Sequence, residues 1–96
     1  MRMGFQWDPE KDAANQAKHL VSFRQAGEIF RGFRLTAEDT RRDYGERRFL
    51  TLGEYDNEVL WVVYTLRGGD IRIISAWKAG QHDREAYAKA RNARPV

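Results

Sequence analysis

Apolar positions crowd the stretch from Val59 to Trp77, VLWVVYTLRGGDIRIISAW. Val59 to Thr65 is β-branched and aromatic with few polar breaks, the pattern of a strand buried on both faces. Gly68-Gly69-Asp70 supplies residues that tolerate positive φ, as a tight hairpin requires. On the return strand, simple alternation puts Ile71, Ile73 and Ser75 on one face and Arg72, Ile74 and Ala76 on the other. Arg67 and Arg72 therefore flank the turn of an otherwise apolar hairpin. A guanidinium on a core strand is costly without a partner, so this part of the sheet is expected to meet an anion.

The remaining elements follow from the same patterns. Phe5-Gln6-Trp7 reads as a brief edge strand. Asp8 can cap a helix that Pro9 opens, and Ala13, Ala14 and Ala17 give that helix a thin apolar face. Lys18 suits its C-terminal end, and His19-Leu20 forms the link. Ser22 with Gln25 matches a capping box, with Val21 and Ala26 as the staple. A second helix is expected from Phe23 to Phe30, ended by Gly32. Phe33 to Thr40 is a strand of poor propensity. Asp43-Tyr44-Gly45 and Tyr55-Asp56-Asn57 are turns around a strand at Arg48 to Gly53. Gly80 breaks the strand pattern, and a last helix spans Gln81 to Asn92, with Asp83 in its first turn, Arg91 in its last and Pro95 beyond. The order β-α-α-β-β-β-β-α predicts an α+β fold, an antiparallel sheet packed by helices.

Length and composition narrow the classes. Ninety-six residues predict a single domain, 1–96, with a small core. A hydrophobic fraction of 42% with three tryptophans argues for a folded chain. There is no cysteine, which excludes disulfides and thiolate chemistry and fits a cytoplasmic location. No apolar run reaches the roughly 20 residues of a membrane span, and MRMGFQWDPE lacks a signal-peptide core. The formal net charge is only +3, but its distribution is uneven. Arg41, Arg42, Arg47 and Arg48 cluster mid-chain, and Arg84, Lys89, Arg91 and Arg94 crowd the C-terminal region. Both groups favour a polyanionic or acidic partner.

An ordered set of motifs then suggests a family. FxWDP at Phe5 to Pro9, NxxKH at Asn15 to His19, Ser22-Phe23 and GExR at Gly45 to Arg48 are followed by VVYTxR at Val62 to Arg67. IRIISA at Ile71 to Ala76 and DRxxY at Asp83 to Tyr87 complete the set. Together they resemble the BrnT family of type II toxin–antitoxin ribonuclease toxins. The resemblance implies a RelE-like fold, cleavage of RNA, and neutralisation by a BrnA-type antitoxin. That antitoxin carries a DNA-binding segment, so operator DNA would be met only through the complex. The chain departs from the pattern twice. Leu20 stands where the family usually has glycine, and Trp77 where it tends to have arginine.

RNA cleavage needs no metal or cofactor, since the ribose 2′-OH can attack its adjacent phosphate. The enzyme must accept the hydroxyl proton, hold the crowded phosphorane and protonate the leaving 5′ oxygen. His19 and His82 have no ligand-like spacing, so no metal site is expected. Arg67 and Arg72 are the candidate phosphate clamp, because arginine stays charged and fits phosphate oxygens with paired bonds. The competing reading makes Arg67 a surface charge and Arg72 a partner of Glu46 or Glu54. Glu46 or His19 can take the proton; a carboxylate among arginines is a weak base, and histidine titrates nearer neutrality. Tyr87, three residues after Arg84 on the last helix, can stack a base or donate a proton, or it can dock that helix at the edge of the core. Arg48, Lys18, Lys78 and Arg84 are candidate substrate contacts. Trp7, Trp61 and Trp77 are read as core. A catalytically weak module binding RNA or antitoxin is the alternative, and a DNA-binding protein alone lacks a recognition-helix pattern.

Overall fold

The computed structural model describes residues 4–93; Arg94 and Pro95 of the expectations above lie outside them. The elements are β1 (Phe5–Gln6), α1 (Pro9–His19), α2 (Phe23–Glu28), β2 (Arg34–Glu38), β3 (Phe49–Tyr55), β4 (Glu58–Arg67), β5 (Asp70–Lys78) and α3 (Gln81–Ala93). The second helix is shorter than its sequence pattern suggests. It tightens to a 3-10 turn at Ile29–Arg31 before Gly32.

One five-stranded sheet runs in the order β1-β5-β4-β3-β2. The β2–β5 strands pair antiparallel in sequence order. β1 does not: Phe5 and Gln6 pair in parallel with Ile71 and Arg72, so the sheet is mixed rather than antiparallel. A parallel pairing needs a long crossover, and here most of the chain supplies it.

Two layers of helix cover the sheet. Val21, Phe23, Ala26 and Ile29 pack against Leu60, Val62, Tyr64, Ile71, Ile73 and Ala76 on one face. On the opposite face α3 sets Tyr87 against Leu52 and Ala79, with Phe33, Val59 and Trp61 at the margin. The helix layer approaches β3 closely at Gly53, where a Cβ would lie 2.8 Å from Cβ of Ile29. The capping box at Ser22 is complete, and Val21 and Ala26 are both buried in the same cluster.

Two sequence-based assignments of faces are overturned. β5 carries a bulge opposite Val63 and Tyr64, where Ser75 pairs with Val63 but Ile73 with Tyr64. The extra residue, Ile74, resets the alternation, so Ala76 joins Ile71 and Ile73 in the core instead of lying with Arg72. The alanines of α1 are exposed, and it is the stripe Asp12, Asn15 and His19 that turns inward. An alanine face buries too little to anchor a helix, whereas Asn15 replaces a missing strand partner. Its amide donates to the carbonyls of Ala76 (2.8 Å) and Val21 (2.9 Å), and its oxygen accepts from the Ala76 N–H (3.2 Å). Asp12 accepts the N–H of Phe23 at 2.9 Å. α1 thus covers the open edge of β5 by hydrogen bonds.

Candidate functional site

The β4–β5 hairpin ends in Gly68 and Gly69, both at positive φ, with Arg67 paired to Asp70 and Thr65 to Arg72. Strand alternation from Trp61 puts Thr65 and Arg67 on the α3 side of the sheet, and the register adds Arg72 and Gln6. Arg67 lies six residues along β4 from Trp61, about 20 Å, and Thr65 between them is buried, its hydroxyl donating to the Arg47 carbonyl at 2.6 Å.

Hydrogen bonds knit these groups together. Nη2 of Arg67 meets Glu46 Oε1 at 3.3 Å, and Nε of Arg48 meets Glu46 Oε2 at 3.1 Å. One carboxylate therefore holds two guanidiniums. The Arg48 bond, then that from Arg67, keeps the Glu46 carboxyl below its ordinary pKa, against the opposing effect of its burial. Arg72 is not bound to Glu46 or Glu54, as one sequence reading had it. Its Nη1 donates to Gln6 Oε1 at 3.0 Å, while Glu54 pairs with Arg91. The Gln6 amide group in turn donates to the Arg67 carbonyl (3.3 Å) and Asp70 (3.4 Å). Gln6 is thus a positioning residue that the sequence did not single out. The one signal was its place between Phe5 and Trp7, opposite to their face.

The other candidate residues gather at the far end of β5. The His19 ring lies 6.3 Å from that of Trp77, tilted by 43°. Trp77 is five residues from Arg72, roughly 16 Å along the strand, so His19 does not share a phosphate with Arg72. Lys18, beside His19, is exposed. Lys78 pairs with Glu58 at 3.4 Å. Arg84 donates to the Ala79 carbonyl at 3.1 Å, closing the turn before α3. Tyr87 is 3% exposed and donates its hydroxyl to the Phe33 carbonyl at 2.9 Å, which docks α3 rather than presenting a proton to substrate. The Trp61 indole donates to Asp83 at 3.0 Å and holds that carboxyl below its ordinary pKa, helped by His82.

Among the described residues, no three His, Asp or Glu side chains converge as metal ligands do, and no helix is long and apolar enough to cross a membrane. This sheet face bears two guanidiniums on one carboxylate and a third, Arg72, beside them on Gln6, a concentration of positive charge that suits an anionic partner. The model of the family described as "Ribonuclease toxin, BrnT, of type II toxin-antitoxin system" matches residues 7–83. The chain belongs to that family. Membership makes it a ribonuclease toxin, with RNA as substrate and an antitoxin as partner. No curated protein matches the chain as a relative.

Proposed function

We propose that the chain is one RelE-like domain, 1–96, that cleaves RNA without a metal ion and thereby arrests translation in the cytoplasm. A BrnA-type antitoxin with a DNA-binding segment neutralises it, and operator DNA is bound only by the complex. The observation that carries this reading is the shared Glu46 carboxylate, with Arg48 and Arg67 on it and Arg72 on the same side of the sheet.

In this scheme Arg67 and Arg72 clamp the scissile phosphate, and Arg48 supports the clamp through Glu46. As the 2′-OH attacks, charge builds on the phosphorane oxygens, where fixed guanidiniums stabilise it most. Glu46, bonded to Arg67, takes the 2′-OH proton, and the leaving 5′ oxygen takes a proton from water as its bond to phosphorus breaks. The lowered pKa of Glu46 makes it a modest base, so charge stabilisation carries most of the rate. RNA incubated with the purified protein and EDTA should be cut. Arg67→Ala or Arg72→Ala should each slow cleavage about 10²–10³-fold with the fold intact. RNA that survives, or an Arg72→Ala protein that cleaves as before, rejects the scheme.

The contact between Trp77 and His19 favours a second reading. Position 77, where the family tends to carry arginine, adjoins the histidine. An arginine there would set a cation beside an imidazole, whose ring nitrogens can donate or accept a proton. On this reading the chain binds RNA or antitoxin and cleaves weakly. Trp77→Arg should then raise cleavage strongly; an unchanged rate leaves the Glu46 cluster as the reacting end.

A further inference from the structure

The segment from Asp39 to Arg48 has no regular secondary structure, yet it is built around a buried charge. Asp39 is 6% exposed. Its carboxylate accepts the backbone N–H of Arg41 at 3.2 Å, Nε and Nη2 of Arg41 at 2.8 Å each, and the Tyr44 hydroxyl at 3.1 Å. Loops usually keep their charges in water. A carboxylate buried under four donors instead fixes the conformation around it. The loop is also tied to the cluster described above, because Cζ of Arg48 lies 4.3 Å over the Tyr44 ring.

This frame presents a particular set of groups. Arg41, Arg42 and Tyr44 line an open cavity of about 370 Å³. Arg42 is exposed and has no ion-pair partner among the described residues. We propose that the cavity is a subsite for the RNA strand, taking one nucleotide beside the guanidinium cluster, with its base on Tyr44 and its phosphate on Arg41 and Arg42. The inference rests on the reading of the chain as an RNA-cleaving protein. Asp39 acts through Arg41 and Tyr44 and is a positioning residue.

The chemistry favours RNA over an acidic peptide. An aromatic face next to guanidiniums is how single-stranded nucleic acid is held, one base per ring and one phosphate per cation. A protein segment would want aliphatic side chains to anchor it, and only two arginines and a tyrosine line this cavity. The size also suits one small ligand unit.

The test uses the full chain and a fluorescein-labelled single-stranded RNA with 2′-O-methyl riboses, which cannot undergo 2′-OH attack. Anisotropy is followed across a salt series. Tyr44→Ala should weaken binding about tenfold, and Tyr44→Phe, which keeps the ring, much less. Arg42→Ala should weaken binding and flatten the dependence of log Kd on log salt by about 0.7. Both side chains lie outside the core, and unchanged thermal melts exclude unfolding. Unaltered Kd and slope in both variants overturn the subsite. So does an equal loss of poly-glutamate binding, which would assign the loop to an acidic protein. If the unaltered protein cleaves ordinary RNA and Tyr44→Ala does so with the same KM, the subsite fails while the ribonuclease reading stands. A protein that neither binds the probe nor cleaves RNA defeats both.

Discussion

Leu20 ends α1 in the left-handed region, at φ 59° and ψ 28°, with its N–H bonded to the Gln16 carbonyl at 3.0 Å. This is the position where a glycine was expected from the motif, and the leucine has adopted the glycine's conformation. A non-glycine residue pays about 1–2 kcal/mol there, because its Cβ crowds the following carbonyl. Leu20→Gly removes that strain and adds about 0.5–1 kcal/mol of unfolded-chain entropy to be overcome. The side chain is 75% exposed, so little burial is lost. The net gain should be roughly 0.5–1 kcal/mol, which in a chain of this size raises Tm by about 2–8 °C. Urea unfolding with unchanged slope measures it. Leu20→Ala is the control: it trims the side chain but keeps the Cβ, and should gain nothing. If the glycine variant is no more stable than the alanine variant, the strain argument is wrong.

The remaining predictions concern buried polar groups. Asn15→Ala leaves the Ala76 N–H and carbonyl and the Val21 carbonyl without their partner, so stability should fall by about 2–4 kcal/mol. Calorimetry showing a loss under about 1 kcal/mol would mean that water replaces the amide freely. Asp39→Asn should cost about 1–3 kcal/mol at neutral pH. The paired bonds from Arg41 hold the Asp39 carboxyl well below the usual carboxylate range, so the ionised form stabilises the fold above the unfolded-state pKa of about 3.9. That contribution is lost as pH falls from there toward the folded value. The gap between the unaltered protein and Asp39→Asn should therefore be full above about pH 5 and narrow at pH 3; a gap that stays constant in acid denies the ion pair its role.

The features legible in the sequence are local ones. The Ser22–Gln25 capping box, the Gly68-Gly69 turn and the apolar run of β4 each depend on neighbours a few residues away, and each formed as read. Asp56 and Asn57 likewise take positive φ at their turn. What the sequence hid is non-local. β1 pairs with a strand more than sixty residues distant, and no local pattern marks a parallel partner. The bulge in β5 is invisible to a rule of strict alternation. The inward stripe Asp12, Asn15, His19 has helical spacing, but polar residues at that spacing look the same as a solvated face. The site shows the same division. Arg67, Arg72 and Glu46 were legible as charged groups, but the sequence matches Glu46 with Arg72, and it meets Arg67 instead; Gln6 and Asp39 were not legible, because their roles come from partners met only after folding. Tyr87 shows the same limit: a phenol on an amphipathic helix reads alike whether its hydroxyl meets substrate, water or, as here, the Phe33 carbonyl.

The bulge also decides how the two ends of β5 relate. Arg72 and Trp77 are five residues apart, an odd separation that would put them on opposite faces of a regular strand. With Ile74 bulged, Arg72 pairs with Thr65 and Trp77 with Trp61. Thr65 and Trp61 are four apart on regular β4, so Arg72 and Trp77 come to the same side. An arginine at position 77 would therefore extend the guanidinium face from the hairpin toward His19. Lys78 cannot take that part, because it lies on the other face and its ammonium is held by Glu58. With tryptophan at this position the row of cations on β5 stops at Arg72, and Lys78 does not continue it on that face. Arg48, Arg67 and Arg72, gathered at the hairpin end, are the cations on which the proposed phosphate clamp depends.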